Sequence, residues 1–198
     1  MQLLETIRVA DGELENLFYH QQRIYKSRKD LFGATDRWDL EELISVPDTL
    51  DAKNIYRCRV LYGAEAIEQV EFIPYTIRAV QSFQLMEASD LTYAYKFADR
   101  TALESLAKAA AADEILIVRN GLLTDTSYAN IALSDGQEWY TPHQPLLEGT
   151  RRAALLASGQ LIPERLSVDD LRYFKEIRWF NAMIPWELAP SLPVSAIR

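Results

Sequence analysis

The 198-residue chain has a single cysteine, Cys58, and only two histidines, His20 and His143. One cysteine cannot close an intrachain disulfide, which is the pattern of a reducing compartment. Cys58 lies in YRCRVLY, where Cys58, Val60 and Tyr62 alternate with Arg57, Arg59 and Leu61, so core packing is its expected role. The histidines lie far apart with no Cys or Glu spacing around them, so no metal site is expected. Basic charge is in deficit as well: 21 Lys and Arg stand against 29 Asp and Glu, a formal net charge of -8. Nucleic acid is therefore not an expected partner. No uncharged apolar run approaches membrane-spanning length. The opening MQLLETIRVADGELE carries Glu5 and Arg8 where a leader has its apolar core. No membrane partner is expected, and the expected location is cytoplasmic. Internal repeats and low-complexity segments are also missing.

Core material is plentiful. Hydrophobic residues make up 48% of the chain, sufficient for one large domain or two small ones. QLLETIRV, residues 2–9, reads as a strand followed by an ADGE turn. Residues 16–32 read as a helix, with Asn16 at its cap and Leu17 and Ile24 two turns apart on one face. A second helix is expected over 38–45. NIYRCRVLYG and AIEQVEFIPY read as paired strands around Gly63–Ala64, and Pro74 with the polar run YTIRAVQS reads as a linker. The second block opens on a strand at 83–88. In RTALESLAKAAAADE, Thr101 and Glu104 match a capping box, and Leu103, Leu106, Ala107 and Ala110 follow helical spacing. EILIVRNGLLTD is a hairpin signal around Asn120–Gly121. ANIALSDGQEWYTP reads as a further strand pair, GTRRAALLASG as a helix between Gly149 and Gly159, and IRWFNAMIPW as a late strand. Strands alternating with helices in two blocks predict an α/β (α+β) chain. Its small N-terminal domain is expected over 1–78 and a larger C-terminal one over 79–198.

Lys96 stands out in YAYKFADR, between Tyr95 and Phe97. A lysine among aromatics either lays its stem along apolar surface or is held there for its amine. Gly149 and Thr150 open a helix, where unpaired amides and the dipole attract phosphate, although many helices begin this way with no ligand. TDTSYAN, residues 124–130, follows a strand and offers a second set of donors. Arg23 has the fork that grips an anion; alternatively it belongs with Lys26, Arg28 and Lys29 to a solvated helix end. An amine beside a phosphate site is what pyridoxal phosphate requires. Its third requirement is a carboxylate on the pyridine nitrogen, and Asp125 in LLTDTS is the candidate.

Taken together and in order, these segments resemble the class IV pyridoxal-phosphate enzymes: branched-chain and D-amino-acid transaminases and aminodeoxychorismate lyase. LLETIRVADGELENLFYHQQRI resembles the family's opening FET-R…H…RL segment, which implies that Arg23 meets the cofactor phosphate and that His20 is a packing residue. YKFADRTAL resembles the lysine segment, which implies that Lys96 forms the Schiff base and shuttles protons. NGLLTDTSYANIAL resembles NG-V-E-S-N-F, implying that Asp125 pairs with the pyridine nitrogen and that Ala129 and Asn130 supply backbone donors to the phosphate. LLEGTRRAAL resembles LL-G-T-R, implying further donors at Thr150 and Arg151. The resemblance implies a two-domain, fold-type IV architecture like that of D-amino-acid aminotransferase, with the cofactor between the domains, and a homodimer. Three departures accompany it. The chain starts almost at the ET-R strand, with no Tyr-Gly-Asp-Gly stretch before it. Asp125 stands where the family usually has glutamate. The family's RG…RGY turn is missing around 62–70.

The details lean toward the lyase. Arg100, four residues after Lys96, matches the K-x-x-x-R of the lyases, and FNAMIPWEL resembles their N-S/A-L/M segment. The expected reaction converts a small amino substrate, 4-amino-4-deoxychorismate, to 4-aminobenzoate and pyruvate, as in folate biosynthesis. The alternatives are a transaminase of branched-chain or D-amino acids and a low-activity or non-enzymatic member of the family. Arg57 or Arg59 is placed to pair with a substrate carboxylate or, equally, to line a solvated strand face. Arg100 and Asn181 are the other substrate candidates, Asn181 being equally suited to ending a strand.

Overall fold

The computed structural model describes residues 1–198. They divide into two compact units, Met1–Ile77 with Tyr95–Asp99, and Arg78–Ala94 with Arg100–Arg198. The Lys96 segment, expected in the C-terminal domain, thus belongs to the first unit. The reason is main-chain pairing: Leu4 N–H donates to Lys96 O at 2.9 Å, Ala98 N–H donates to Gln2 O at 3.0 Å, and Phe97 bridges to Leu3.

The first unit contains β1 (Leu3–Ala10), β2 (Glu13–Leu14), α1 (Leu17–Phe32), α2 (Leu40–Leu43), β3 (Tyr56–Tyr62) and β4 (Ile67–Pro74). The strands form an antiparallel sheet in the order β2-β1-β3-β4. Alternation gives this sheet two different faces. Leu3, Ile7 and Val9 lie opposite Tyr62, Cys58 and Tyr56, and on that face they pack with Val60, Ile24 of α1 and Leu40 of α2. Glu5, opposite Val60, falls on the same apolar face. Arg8 and Arg57 are paired across the strands on the other face, as are Thr6 and Arg59. Helix α1 turns His20, Ile24, Ser27 and Arg28 inward, the i, i+4, i+7, i+8 stripe of a core-facing helix. It stops at Gly33, whose left-handed backbone returns its N–H to Lys29 O. Asn16 occupies the N-cap position as expected, but in a left-handed conformation and with no cap bond from its side chain. Helix α2 is shorter than the expected 38–45. Asp39 caps it by accepting the Glu41 N–H, and Ile44 turns extended and reaches the core.

The second unit contains β5 (Phe83–Glu87), α3 (Thr101–Lys108), β6 (Glu114–Arg119), β7 (Leu122–Thr126), β8 (Asn130–Ser134), β9 (Trp139–Pro142), α4 (Thr150–Ala157), β10 (Ile162–Glu164), β11 (Glu176–Phe180) and β12 (Ser191–Pro193). The sheet runs β10-β9-β8-β7-β6-β5, with β11 along β8 and β12 beyond it. The β5–β6 and β9–β10 pairs are parallel and the others antiparallel. Every residue of β8 is buried, as expected of a strand covered on both faces. Its core includes Phe83, Leu116, Ile131, Leu133, Ile177 and Trp179, with Phe83 and Trp179 edge to face at 5.1 Å. The β6–β7 hairpin turns at Asn120 and Gly121, both at positive φ, which suits a two-residue turn of right-handed twist. The expected capping box does not form. Arg100 is the N-cap residue of α3, its side chain makes no cap bond, and Thr101 is already helical. The late strand ends at Phe180 because Asn181 starts a turn, its Oδ1 accepting the Met183 N–H at 2.8 Å. No helix is long and apolar enough to cross a membrane.

Candidate active site

In the first unit the chemistry gathers around Glu5. His20 and Arg23 are three residues apart on α1 and therefore neighbours on its surface. Both reach the Glu5 carboxylate. Arg23 Nε donates to Oε1 at 2.7 Å and Arg23 Nη2 to Oε2 at 2.6 Å, a side-on pairing, while His20 Nδ1 lies 2.6 Å from Oε2. Glu5 and His20 are fully buried. Burial alone would raise the Glu5 carboxyl, but the Arg23 guanidinium and the His20 imidazole outweigh it and hold it well below the usual carboxylate range. Burial lowers the pKa of His20, Glu5 pulls it back up, and the charges of Arg23 and Lys96 press it down again. The imidazole is thus neutral, and its Nδ1–H is the donor to Glu5. Arg23 is therefore not part of a solvated helix end: its side chain is 12% exposed and its plane is fixed by a carboxylate. Lys96 is half-buried on a segment tied down by the main-chain bonds to β1 and by Tyr95. The Tyr95 hydroxyl donates to Asp30 at 3.1 Å, and Lys26 lies over its ring.

Sequence reasoning did not single out Glu5, although the signal was present. It sits in register with Leu3, Ile7 and Val9 on the apolar face of β1. A charged residue in such a stripe requires buried partners, and His20 and Arg23 are those partners.

In the second unit Asp125 is the next-to-last residue of β7 and Asn130 opens β8, directly paired across the strands, so their side chains share a face. Asn130 Nδ2 donates to Asp125 Oδ1 at 2.8 Å and to Leu147 O at 2.9 Å, and Leu147 N–H donates to Asp125 Oδ2 at 2.8 Å. Asp125 is 4% exposed. Burial pushes its carboxyl up to about 7 against these hydrogen bonds and the charge of Arg152. Arg152 itself is buried and donates to Pro142 O at 2.7 Å, so no cation is hydrogen-bonded to Asp125. Helix α4 begins at Gly149 without a side-chain cap. Its internal bonding starts with Ala153 N–H on Gly149 O at 2.9 Å, so the amides of Thr150 and Arg151 look outward from the helix. Ala129, expected as a phosphate donor, instead gives its N–H to Thr126 Oγ1 at 3.0 Å.

The substrate candidates separate. Arg59 pairs with Glu71 at 2.8 Å. Arg57 faces the same side of the sheet, and its Nε is buried with no partner. Arg100 Nη2 donates to Ser127 O at 2.8 Å, and Asn181 Nδ2 donates to Tyr128 O at 3.2 Å, so both are engaged with one turn of the protein itself. His143 is exposed, and no group of three or more His, Cys, Asp or Glu side chains is placed to hold a metal.

These residues fit pyridoxal phosphate. A buried carboxylate with no cation bonded to it is the group that a protonated ring nitrogen satisfies. In the first unit, taken by itself, an arginine of fixed plane and a lysine on a tethered segment are groups that suit a phosphate and an aldehyde.

Comparison with known proteins agrees. The chain matches the amino-transferase class IV family over residues 2–192. It is 35% identical over 184 residues to an uncharacterised protein of Haemophilus influenzae, covering 91% of this chain and 97% of that one. A crystal structure of a proposed 4-amino-4-deoxychorismate lyase from Haemophilus somnus superposes with a TM-score of 0.85 at 34% identity, covering 92% of this chain and 96% of that one. A proposed amino-acid aminotransferase from Mesorhizobium loti gives a TM-score of 0.75 at 25% identity, covering 93% and 96%. The chain belongs to the class IV aminotransferases, enzymes whose cofactor is pyridoxal phosphate.

Proposed function

We propose that the protein is a lyase that converts 4-amino-4-deoxychorismate to 4-aminobenzoate and pyruvate, a reaction of folate biosynthesis. The observation that carries this reading is the likeness, over nearly the full length of both chains, to the Haemophilus somnus protein proposed to be such a lyase. Lys96 would hold the cofactor through its amine. Arg23, the backbone at Asn130 and the amides of Thr150 and Arg151 would hold its phosphate. Ala129 contributes the shape of the turn, since its amide is engaged. Asp125 would face the ring nitrogen and keep a proton on it. Bound there, the cofactor supplies an electron sink for the pair left behind when a C–H bond next to the substrate amine breaks.

Lys96 takes that proton as general base. The C–O bond to the enolpyruvyl group then breaks, its electron pair leaving on oxygen, and the departing enolate takes up a proton to become pyruvate. The ring that remains is aromatic. The two products together contain the atoms of the substrate, so no oxidant or second substrate enters. The driving force comes from aromatisation, which leaves the protein to fix geometry and hold the proton. Arg57 would pair with a substrate carboxylate.

The family resemblance also supports a homodimer with isologous contacts, which a monomeric mass by light scattering at high concentration would rule out. The second reading, a transaminase, is favoured by the likeness to the Mesorhizobium loti protein. The two are separated by measuring pyruvate released from 4-amino-4-deoxychorismate against keto acid formed from branched-chain and D-amino acids. Lyase activity should exceed transamination, and keto acid without pyruvate would reverse the assignment. Lys96→Ala should abolish the visible absorbance of bound cofactor and turnover in a protein that stays folded. Full turnover by that variant would remove Lys96 from the mechanism.

A further inference from the structure

The turn Thr126–Ala129, which joins Asp125 to Asn130, is held from three directions. Ser127 N–H donates to Glu114 Oε1 at 3.0 Å, and Ser127 O accepts from Arg100. The Tyr128 N–H donates to Thr126 Oγ1 at 3.2 Å, and Tyr128 O accepts from Asn181. The Ala129 N–H also goes to Thr126 Oγ1, and Ala129 O accepts the Thr126 N–H at 2.9 Å. Every main-chain polar group of Ser127, Tyr128 and Ala129 is thus bonded. Three of the partners are side chains from distant parts of the unit: the start of β6, the N-cap of α3 and the residue after β11. Glu114 is 2% exposed. It is itself fixed by the Ile115 N–H at 3.0 Å and by Arg78, whose guanidinium also lies over the Tyr128 ring at 5.0 Å.

A tight turn between two antiparallel strands does not need this much support, since short turns close with their own backbone bonds. Asp125 does. A buried carboxyl bonded to no cation is unfavourable to keep in place, and the nearest relief is a small backbone shift that admits water. Costly local arrangements persist only where the surroundings over-determine them. We propose that Glu114, Arg100 and Asn181 are positioning residues for Asp125, clamping the turn beside it so that its carboxylate stays dry and aimed. The inference rests on the reading of Asp125 as the acid for the cofactor ring nitrogen, and it makes Arg100 and Asn181 braces rather than substrate ligands.

The test follows the Asp125 carboxyl carbon by NMR as a function of pH in full-length protein freed of cofactor, for wild type, Glu114→Ala and Arg100→Met. If the clamp acts on Asp125, both variants titrate lower than wild type, Glu114→Ala by at least about one pH unit, because water reaches the carboxylate. Exchange of the Ala129 and Leu147 amides should also speed up at least about tenfold. Lowered melting temperatures with an unmoved Asp125 titration would overturn the proposal, since a merely structural role predicts that pattern. If Glu114→Ala does not fold, Arg100→Met, which removes one bond to Ser127 O, decides the matter by the same readout. The reading of Asp125 itself is tested separately, by Asp125→Asn in the loaded enzyme, so either can fail without the other.

Discussion

Gly149 sits so close to Asn130 that a Cβ on it would lie 1.9 Å from Asn130 Oδ1. Its backbone, with φ of -70° and ψ of 143°, is open to any residue, so the requirement for glycine is one of space. Asn130 has no room to give way, because its Nδ2 is committed to Asp125 and Leu147. Gly149→Ala should therefore push the start of α4 away from Asn130. We expect a stability loss of about 1–3 kcal/mol, the usual cost of overpacking, together with weaker binding of the cofactor phosphate. Thermal melts with and without pyridoxal phosphate check both. A variant as stable as wild type would mean that the helix start moves freely.

Asp125 gives the protein a particular pH dependence. Its carboxyl is pushed up to about 7 from the ordinary 3.8. Between those values the folded chain keeps a proton that the unfolded chain has released. Stability contributed at this site therefore falls as pH rises through the window and levels off above it. Asp125→Asn keeps the size and removes the titration. Without cofactor, the variant should lose less stability than wild type between about pH 4 and 7, by an amount on the order of a few kcal/mol. Urea denaturation across that range measures it, and parallel curves would place the titration elsewhere. In the loaded enzyme the colour should survive, and elimination should slow at least about tenfold, roughly 1.4 kcal/mol in barrier.

How much of this was legible beforehand depended on range. The alternation in YRCRVLY showed which side chains of β3 are buried: Cys58, Val60 and Tyr62 are fully enclosed and Arg57 and Arg59 are not. Asn120–Gly121 showed its hairpin, because turn chemistry is local. The Thr101–Glu104 box failed because the helix starts one residue earlier than its pattern requires: Arg100 takes the N-cap position and its carbonyl accepts the Glu104 N–H at 2.9 Å. The membership of Lys96 in the first unit depends on bonds to Gln2 and Leu4, partners too distant in sequence for any window to connect. Segment resemblance named Arg23, Lys96 and Asp125. It did not show that Glu5 holds Arg23 or that the Ala129 amide is already engaged, since those facts belong to side-chain geometry.

The Glu5–Arg23 pair predicts a divergence between binding and stability. Arg23→Ala should weaken binding of pyridoxine 5′-phosphate by about 1.5–3 kcal/mol, the range for a lost charged hydrogen bond. It should also destabilise the fold by about 3–5 kcal/mol, because it leaves Glu5 ionised and buried beside a neutral His20. Adding Glu5→Gln should restore much of the stability and none of the binding. Calorimetric titration and thermal melts separate the two effects. Should the double variant recover binding as well, Arg23 would be acting on the fold and not on the phosphate.

Arg57 and Arg59 differ in a way that sequence alone left open. Both stand on the face of the sheet opposite its core, on the same strand and two residues apart. Arg59 is satisfied by Glu71 at 2.8 Å, a pair exposed enough to contribute little to stability. Arg57 lies directly opposite Arg8 across the strands, a like-charge pairing that sheets disfavour. Arg8 has Glu15 as its partner through Nη1, while the buried Nε of each arginine has none. A positive group kept in that position calls for an anion, and the proposed substrate brings carboxylates. Arg57→Met should raise KM for 4-amino-4-deoxychorismate at least about tenfold, equivalent to some 1.4 kcal/mol, with cofactor binding unchanged. Arg59→Met should alter KM by less than about twofold. Steady-state kinetics on the two variants is decisive: equal effects, or a larger one at Arg59, would show that Arg57 only lines the sheet. Removing an unpaired cation that faces another cation should leave Arg57→Met at least as stable as wild type, so a rise in KM could not be attributed to unfolding.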